Sequence, residues 1–423
     1  MAAEQILFYC CTVTHGLSHL RVCDLGGQLA GAGATKILAA FGAEVIRVED
    51  PATRGMWDAL RGVGPFVDER RGVNLGAGFN NHNVGKFGVT INLRADAGKQ
   101  LLRELIAVSD IVCENFAAGV LARMGFGDDE LRRIKPDIIY VSNCGFGHTG
   151  PYRDFKTWGP IVQALSGLTF TAGLAGHEPA GWGFSYMDHV AAYYMVIAIL
   201  AAVHHRERTG EGQHVDLATV PAGIAMLPAE VLDWTVNRRP ARRAGSPAAN
   251  HSDFGEMAPH GIYPSLGEDR WIAIACRDDR DAAMLAKVLD EPELSADRFA
   301  TLGQRLARAD ELDTLIAACT ATRDGVVLAS ELATAGIPAS VVKSPRERID
   351  EDPDLAAWGL FPTVQHPEIG TVRVEGLPLR MSASPWRISR AAPCLSEHNR
   401  KILGGLLGHS DQELDELTKQ GVI

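Results

Sequence analysis

The longest uncharged apolar run in this 423-residue chain, Val190 to Val203, falls short of a bilayer crossing, which takes about 20 residues. It reads as a buried helix. The short apolar run Ile6 to Val13 has no basic region ahead of it, so no signal peptide is expected. Positive charge is scarce: 41 Lys and Arg face 52 Asp and Glu, for a formal net charge of −11. That balance argues against nucleic acid or an anionic membrane as partner. It also means that any polyanionic ligand has to be met by cations gathered locally. Cysteine pairing signals are missing too. The eight cysteines, at 10, 11, 23, 113, 144, 276, 319 and 394, include no Cys-x-x-Cys pair and no Cys/His cluster at zinc spacing. Reduced thiols in a cytoplasmic protein with no metal site are expected. There is no P-loop. Gly31 and Gly33 follow an early strand-like run, but the third glycine of a dinucleotide fingerprint is absent, position 36 being Lys. Close helix–sheet packing is the better reading of the pair. No repeat of 20 to 50 residues is visible.

With 46% hydrophobic and 22% charged residues, the chain has an ordinary globular composition, long enough for two or three units. From Leu20 on, short β-rich runs alternate with helix-like segments. Arg21 to Leu25, Glu44 to Glu49, Gly88 to Leu93, Asp110 to Glu114, Asp137 to Ser142 and Gln213 to Leu217 read as strands. Ala30 to Phe41, Asp96 to Val108 and Asp128 to Ile134 read as helices between them, with two more around Trp158 to Leu168 and Asp188 to Arg208. Apolar strands separated by helices imply a parallel sheet covered on both faces. The expected fold is α/β: a Rossmann-like large domain with a parallel sheet, plus a smaller α/β domain. Residues 1–225 with 340–423 would form the large domain, and 226–339 the linker and small domain. Pro228 to Asp253, with Arg238, Arg239, Arg242 and Arg243, reads as a linker or surface arm. Ser410 and Glu413 have capping-box spacing and mark a final helix.

Read alone, Asp188 sits in a Gly/aromatic loop just before the Val190 helix, where Asp is a favoured N-cap. A carboxylate there can equally serve as a nucleophile, and local sequence does not separate the two. His189 reads either as a structural histidine or as a base beside it. Arg123 and Lys156 sit in connecting segments, as solvated cations or phosphate contacts.

The wider pattern separates these readings. Phe41-Gly-Ala-Glu-Val-Ile-Arg-Val-Glu, Glu114-Asn-Phe-Ala-Ala-Gly-Val-Leu-Ala-Arg-Met-Gly, Gly145-Phe-Gly-His-Thr-Gly-Pro-Tyr, Arg206-Glu-Arg-Thr-Gly-Glu-Gly-Gln-His-Val-Asp and Leu395-Ser-Glu-His-Asn occur in that order. Together they resemble the class III CoA-transferases, from about Leu20 to the end of the chain. The resemblance implies a CoA-transferase that moves CoA from an acyl-CoA donor, such as succinyl-CoA, to a carboxylic acid acceptor. Asp188 would be the nucleophile, passing through an aspartyl mixed anhydride and an aspartyl-CoA thioester. CoA itself is substrate, with no tightly bound cofactor implied. By motif position the CoA contacts are Arg94, Asn115, Phe116, Arg123, Met124 and Lys156. Asp50 stands where the family often has Arg, and Leu29 where formyl-CoA transferase has a glutamine. The resemblance further implies an interlocked homodimer, or a heteromer with a related subunit.

Two alternatives remain open at this point. The related α-methylacyl-CoA racemases use a His-Asp pair whose histidine falls at Trp158, followed here by Gly159. Tryptophan carries no transferable proton. A non-catalytic CoA-binding subunit is the other alternative, which the presence of Asp188 opposes. The stretch from Lys156 to His189 is similar to benzylsuccinate:succinyl-CoA transferase. Leu29, Trp158, Trp182, Phe184 and Tyr186 would then line a large apolar acyl site, the alternative for the four aromatic residues being ordinary packing around the loop.

Overall fold

The computed structural model describes residues 15–173, 177–242 and 257–423. Ile6 to Val13, Cys10, Cys11, Arg243 and the end of the proposed arm at Asp253 lie outside them. Two compact units are present. Among the described residues, the first comprises 15–168, 181–228 and 356–423; the second comprises 169–173, 177–180, 229–242 and 257–355.

Six strands organise the first unit: β1 (Arg21–Asp24), β2 (Glu44–Glu49), β3 (Phe87–Thr90), β4 (Ile111–Glu114), β5 (Ile139–Cys144) and β6 (His214–Ala218). All neighbours pair in parallel, in the order β3-β2-β1-β4-β5-β6. This is the doubly wound order, whose direction reverses between β1 and β4. Alternate strand residues feed two cores, as a pleated sheet buried on both faces requires. Cys23, Ile46, Val48, Val89 and Val112 pack toward one face, with Leu101, Leu102, Leu105, Ile106 and the C-terminal Leu403 and Leu414. Val22, Val45, Ile111, Cys113, Ile139 and Val141 pack toward the other, with Ala34, Leu38, Met195 and Ile199.

The helices of this unit are α1 (Ala30–Ala40), α2 (Ala77–His82), α3 (Asp96–Ala107), α4 (Val120–Arg123), α5 (Asp128–Ile134), α6 (Gly159–Ser166) and α8 (Tyr186–Thr209); α7 (Leu168–Thr171) starts at its boundary. The apolar run from Val190 is thus the middle of a 24-residue helix, long and apolar enough by length and composition to cross a membrane. Only one of its faces is buried, through Ala191, Ala192, Met195, Ile199, Ala202 and Val203, while Tyr193, Ile197 and Leu200 are exposed. The expectation of a wholly buried helix therefore holds for one face.

The Arg206 to Asp216 motif explains itself locally. Gly210, in left-handed backbone (φ 78°), ends α8 by donating its N–H to Arg206 O at 2.8 Å. A side chain on Gly212 would stand 2.2 Å from Ile138 O, so only glycine lets the chain turn closely into β6. Arg206 pairs with Asp110, just ahead of β4, at 3.2 Å. That contact pins the C-terminus of α8 to the N-terminal edge of the sheet. A helix of 24 residues spans about 36 Å, so its first turn reaches the opposite, C-terminal edge.

The second unit holds an antiparallel sheet of His260–Pro264, Trp271–Ala275 and Ala339–Val341. Helices Asp279–Leu289, Ala309–Thr320 and Gly325–Thr334 supply Leu285, Ile316 and Leu328 to its core. Residues 340–355 fall in this unit because Ala339–Val341 is the third strand of its sheet. The stretch read as a linker from Pro228 is helical at first: Pro228–Leu232 runs into a wide turn over Asp233–Asn237. Proline suits the first helical position, where no N–H is needed. The final helix, Asp411–Lys419, carries the expected capping box of Ser410 and Glu413. The six described cysteines are all free.

Candidate active site

Ligands of doubly wound sheets bind beyond the C-terminal ends of the strands, where the strand order reverses. Here the crevice lies between the ends of β1 and β4, and a side chain crosses it. Asn115 Oδ1 accepts from Gly27 N–H at 2.6 Å, and Asn115 Nδ2 donates to Gly27 O at 3.0 Å. A Cβ on Gly31 would meet Asn115 Oδ1 at 2.7 Å and Gly26 Cα at 2.9 Å. The Gly31 and Gly33 pair therefore serves close packing, and the crevice where a dinucleotide would sit is bridged.

Asp188 lies in the first turn of α8, three residues after the N-cap position, which Ser185 holds. The register of α8 on α1 shows what it faces. A Cβ on Gly33 would touch Ala192 Cβ at 3.2 Å, and Val196 packs in the cluster of Ile37 and Ala40. Both contacts advance together, so the helices run parallel. One turn back along each sets Asp188 level with Leu29, at the C-terminal edge of the sheet.

Burial pushes the Asp188 carboxyl up to about 6, and the Ser185 hydroxyl partly offsets this. Gly159, the first residue of α6, presses on it: a Cβ there would lie 2.5 Å from both Asp188 Oδ2 and Ser185 Cβ. The aromatic loop ahead of α8 is clamped by the buried Gln163, whose Nε2 donates to Phe184 O at 2.6 Å. Trp158, Trp182, Phe184 and Tyr186 are about half exposed or more, so their rings are not filling this chain's core. Trp182 and Phe184 stand edge-on to Tyr186, at 5.6 and 5.9 Å between centroids. The His189 ring is packed between Phe184, at 5.8 Å, and His82, at 5.5 Å. Burial lowers its pKa, so it is neutral at pH 7.

The other sequence-derived residues follow the C-terminal ends of β1, β3, β4 and β5. Arg94 is exposed but pairs with Asp50 at 3.3 Å. The residue replacing an expected cation thus also neutralises a neighbouring one. Asn115 spends its amide on Gly27. Phe116 is held from below: its N–H donates to Glu114 Oε2, whose other oxygen accepts from Tyr140 OH at 2.8 Å. Burial pushes Glu114 up to about 7. Met124, like Phe116, is half-buried against the edge of the core, and Arg123 is exposed. Lys156 is exposed and makes no ion pair among the described residues. Leu29 is buried.

Sequence reasoning missed Gly159, Ser185, Gln163 and Glu114 as parts of this site. Only Glu114 carried a signal, as the first residue of a quoted motif. No group of three or more metal-ligating side chains occurs among the described residues.

Residues 17–399 match the pattern of CoA-transferase family III. The chain is 33% identical to a succinyl-CoA–D-citramalate CoA-transferase of Chloroflexus aurantiacus, over 96% of this chain and 98% of that one. It is 34% identical to a formyl-CoA:oxalate CoA-transferase of Streptomyces avermitilis, over 97% and 100%. A crystal structure of a CAIB/BAIF family protein from Brucella suis superposes with a TM-score of 0.84 at 31% identity, covering 93% of this chain and 100% of that one. The chain belongs to CoA-transferase family III.

Proposed function

From that membership, we propose that the protein transfers CoA from an acyl-CoA donor to a carboxylic acid through covalent intermediates on Asp188. The observation that carries this reading is a half-buried, partly desolvated carboxylate at the ligand edge of the sheet, with no cation paired to it among the described residues. Desolvation leaves it more basic than an ordinary aspartate, yet still mostly ionised at neutral pH.

The Asp188 carboxylate attacks the thioester carbonyl of the donor. The C–S bond breaks, giving a mixed anhydride and CoA thiolate. The thiolate attacks the Asp188 carbonyl and releases the donor acid, leaving an aspartyl-CoA thioester. The acceptor carboxylate attacks that thioester and expels the thiolate again. Thiolate attack on the acceptor carbonyl of the second anhydride then forms the new acyl-CoA and frees Asp188. Each intermediate retains an activated acyl bond, so no nucleotide is consumed.

Arg123 and Lys156 supply the phosphate contacts, with Arg94 less available because Asp50 holds it. Phe116 and Met124 offer apolar surface to adenine or pantetheine. Trp158, Trp182, Phe184 and Tyr186 form an exposed apolar wall around the acyl group, which favours acids larger than formate or oxalate. Trp158 and the Gly159 contact with Asp188 disfavour a racemase, because no proton-carrying side chain stands at either position. The exposed apolar face of α8, through Tyr193, Ile197 and Leu200, supports a homodimer, and the free cysteines fit a cytoplasmic setting.

The test is a panel of carboxylic acids incubated with succinyl-CoA, the CoA products being weighed by mass spectrometry. New acyl-CoA species matching the added acids are expected. Deuterium exchange at the α-carbon without any acceptor acid would instead indicate the racemase. The carboxylate must be ionised to attack, so kcat/KM for the donor is expected to fall tenfold per pH unit below about 6. A profile flat from pH 5 to 8 would remove Asp188 as the titrating group.

A further inference from the structure

Beneath the turn that carries Asn115 and Phe116 lies a buried acidic group that the transfer steps do not use. Glu114 ends β4 and is 1% exposed. No Lys or Arg pairs with it among the described residues, so the carboxylate is kept there at a cost in desolvation. Both of its oxygens are committed. Oε2 accepts from Phe116 N–H and Oε1 from Tyr140 OH at 2.8 Å. His148 Nε2 stands 3.9 Å from Oε1, buried and with no hydrogen-bond partner among the described residues. The strand register puts these groups on one face of the sheet, since Glu114 lies opposite Ser142, and Tyr140 opposite His214.

The same contacts reach a second loop. The His214 ring stacks on Tyr140 at 4.3 Å, and His148 stands edge-on to His214 at 5.6 Å. His148 N–H donates to Asp216 Oδ2 at 2.8 Å, just after Gly147 turns in left-handed backbone (φ 75°). The loop that begins at Gly145 closes on itself, because a side chain on Gly145 would collide with Thr157. Lys156 immediately precedes Thr157, and Gly159, which presses on Asp188, follows it. One chain of contacts therefore runs from the Phe116 peptide through Glu114, Tyr140, His214 and His148 to the segment bearing Lys156. The other titratable groups around Glu114 are Cys113 on β4, Cys144 on β5 and Asp216 on β6, while the Asp128–Arg132 pair of α5 faces His214.

We propose that Glu114 is a positioning residue for CoA: its carboxylate sets the Phe116 turn and the 145–157 loop in the one arrangement in which Phe116 and Lys156 meet the same CoA molecule. This rests on the transferase reading above. Ionised, Glu114 accepts from both donors through charge-assisted bonds and offers His148 an acceptor. Protonated, it has to donate through one oxygen, which Tyr140 OH can accept and Phe116 N–H cannot. Burial holds the carboxyl up at about 7 against the pull of its two hydrogen bonds, so the change falls in the neutral range.

Glu114→Gln fixes the protonated pattern, one acceptor and one donor, at every pH. Its dissociation constant for free CoA is expected to exceed that of the wild type by about tenfold at pH 8 and by only about twofold at pH 6. The phosphates of CoA titrate alike with both proteins and cancel in this ratio. A role in packing alone would give a ratio independent of pH. A second readout needs neither ligand nor variant: in wild-type protein carrying isotope-labelled phenylalanine, the Phe116 amide resonance should titrate with a midpoint near 7. The same resonance should not titrate in Glu114→Gln. A constant ratio, or a Phe116 amide that does not titrate, in a wild-type protein that binds CoA would overturn the role of Glu114 alone. A wild-type protein that binds neither CoA nor acyl-CoA would remove the transferase reading, and the positioning role with it.

Discussion

Asp188→Asn is expected to abolish CoA transfer and, at neutral pH, to make the protein more stable. The amide keeps the size and shape of the carboxylate but is not a nucleophile, so turnover should drop by about 10⁴-fold or more. The stability gain follows from the carboxyl pKa of about 6 in the fold, against an ordinary 3.8. A raised carboxyl pKa means that the folded state keeps its proton where the unfolded chain has released it. Ionising Asp188 in the fold therefore costs stability, by up to about 3 kcal/mol, fully developed above pH 6. Below about pH 4 both states are protonated and the cost vanishes. Asparagine avoids it at every pH. The melting temperature of Asp188→Asn should exceed that of the wild type at pH 7.5, and the difference should shrink as the pH falls from 6 to 4. A variant that is inactive but equally destabilised at both pH values would point to a helix-capping role instead.

Gly159→Ala is expected to cut kcat/KM by about 100-fold while leaving the fold intact. The added methyl would lie 2.5 Å from Asp188 Oδ2 and 2.5 Å from Ser185 Cβ, well inside van der Waals contact. Either the carboxylate or the start of α8 has to move by about 1 Å, and misplacement on that scale is enough to lose two orders of magnitude in rate. Gly303 is the control. It sits in helix Leu302–Leu306 of the second unit, with nothing within 4 Å of a Cβ, so Gly303→Ala should keep activity within about twofold. Steady-state kinetics and circular dichroism of the two variants check this. Comparable activity in both would mean that Gly159 does not set the carboxylate's position.

How much of this was legible in the sequence depended on whether the determining contacts were local. Strand β2 at Glu44–Glu49 and helix α5 at Asp128–Ile134 begin and end where their apolar pattern does, because burial on a regular element repeats with the period of that element. The parallel sheet followed from strands with no polar alternation. Asp188 as helix cap or nucleophile could not be decided locally, and its place in the first turn depends on Ser185 taking the cap. The site's other determinants are contacts between distant segments. Asn115 reads as a ligand contact until Gly27, 88 residues away, is seen to take its amide. Arg94 reads as a free cation until Asp50 is beside it. His189 reads as a candidate base until His82 and Phe184 are found on its two sides. Leu29 is singled out by motif position, but the tight turn buries it. No periodicity or spacing encodes these juxtapositions, because the fold creates them.

The central claim is that Asp188 carries the acyl group, and trapping it covalently tests that most directly. The wild-type protein would be incubated with an acyl-CoA donor, quenched with hydroxylamine and digested, and the peptide containing Asp188 weighed. An anhydride or thioester on that side chain reacts to give an aspartyl hydroxamate, which is expected at Asp188 in the wild type and not in Asp188→Asn. A protein that forms new acyl-CoA products with its Asp188 peptide unmodified, or with the hydroxamate on another residue, would contradict the account.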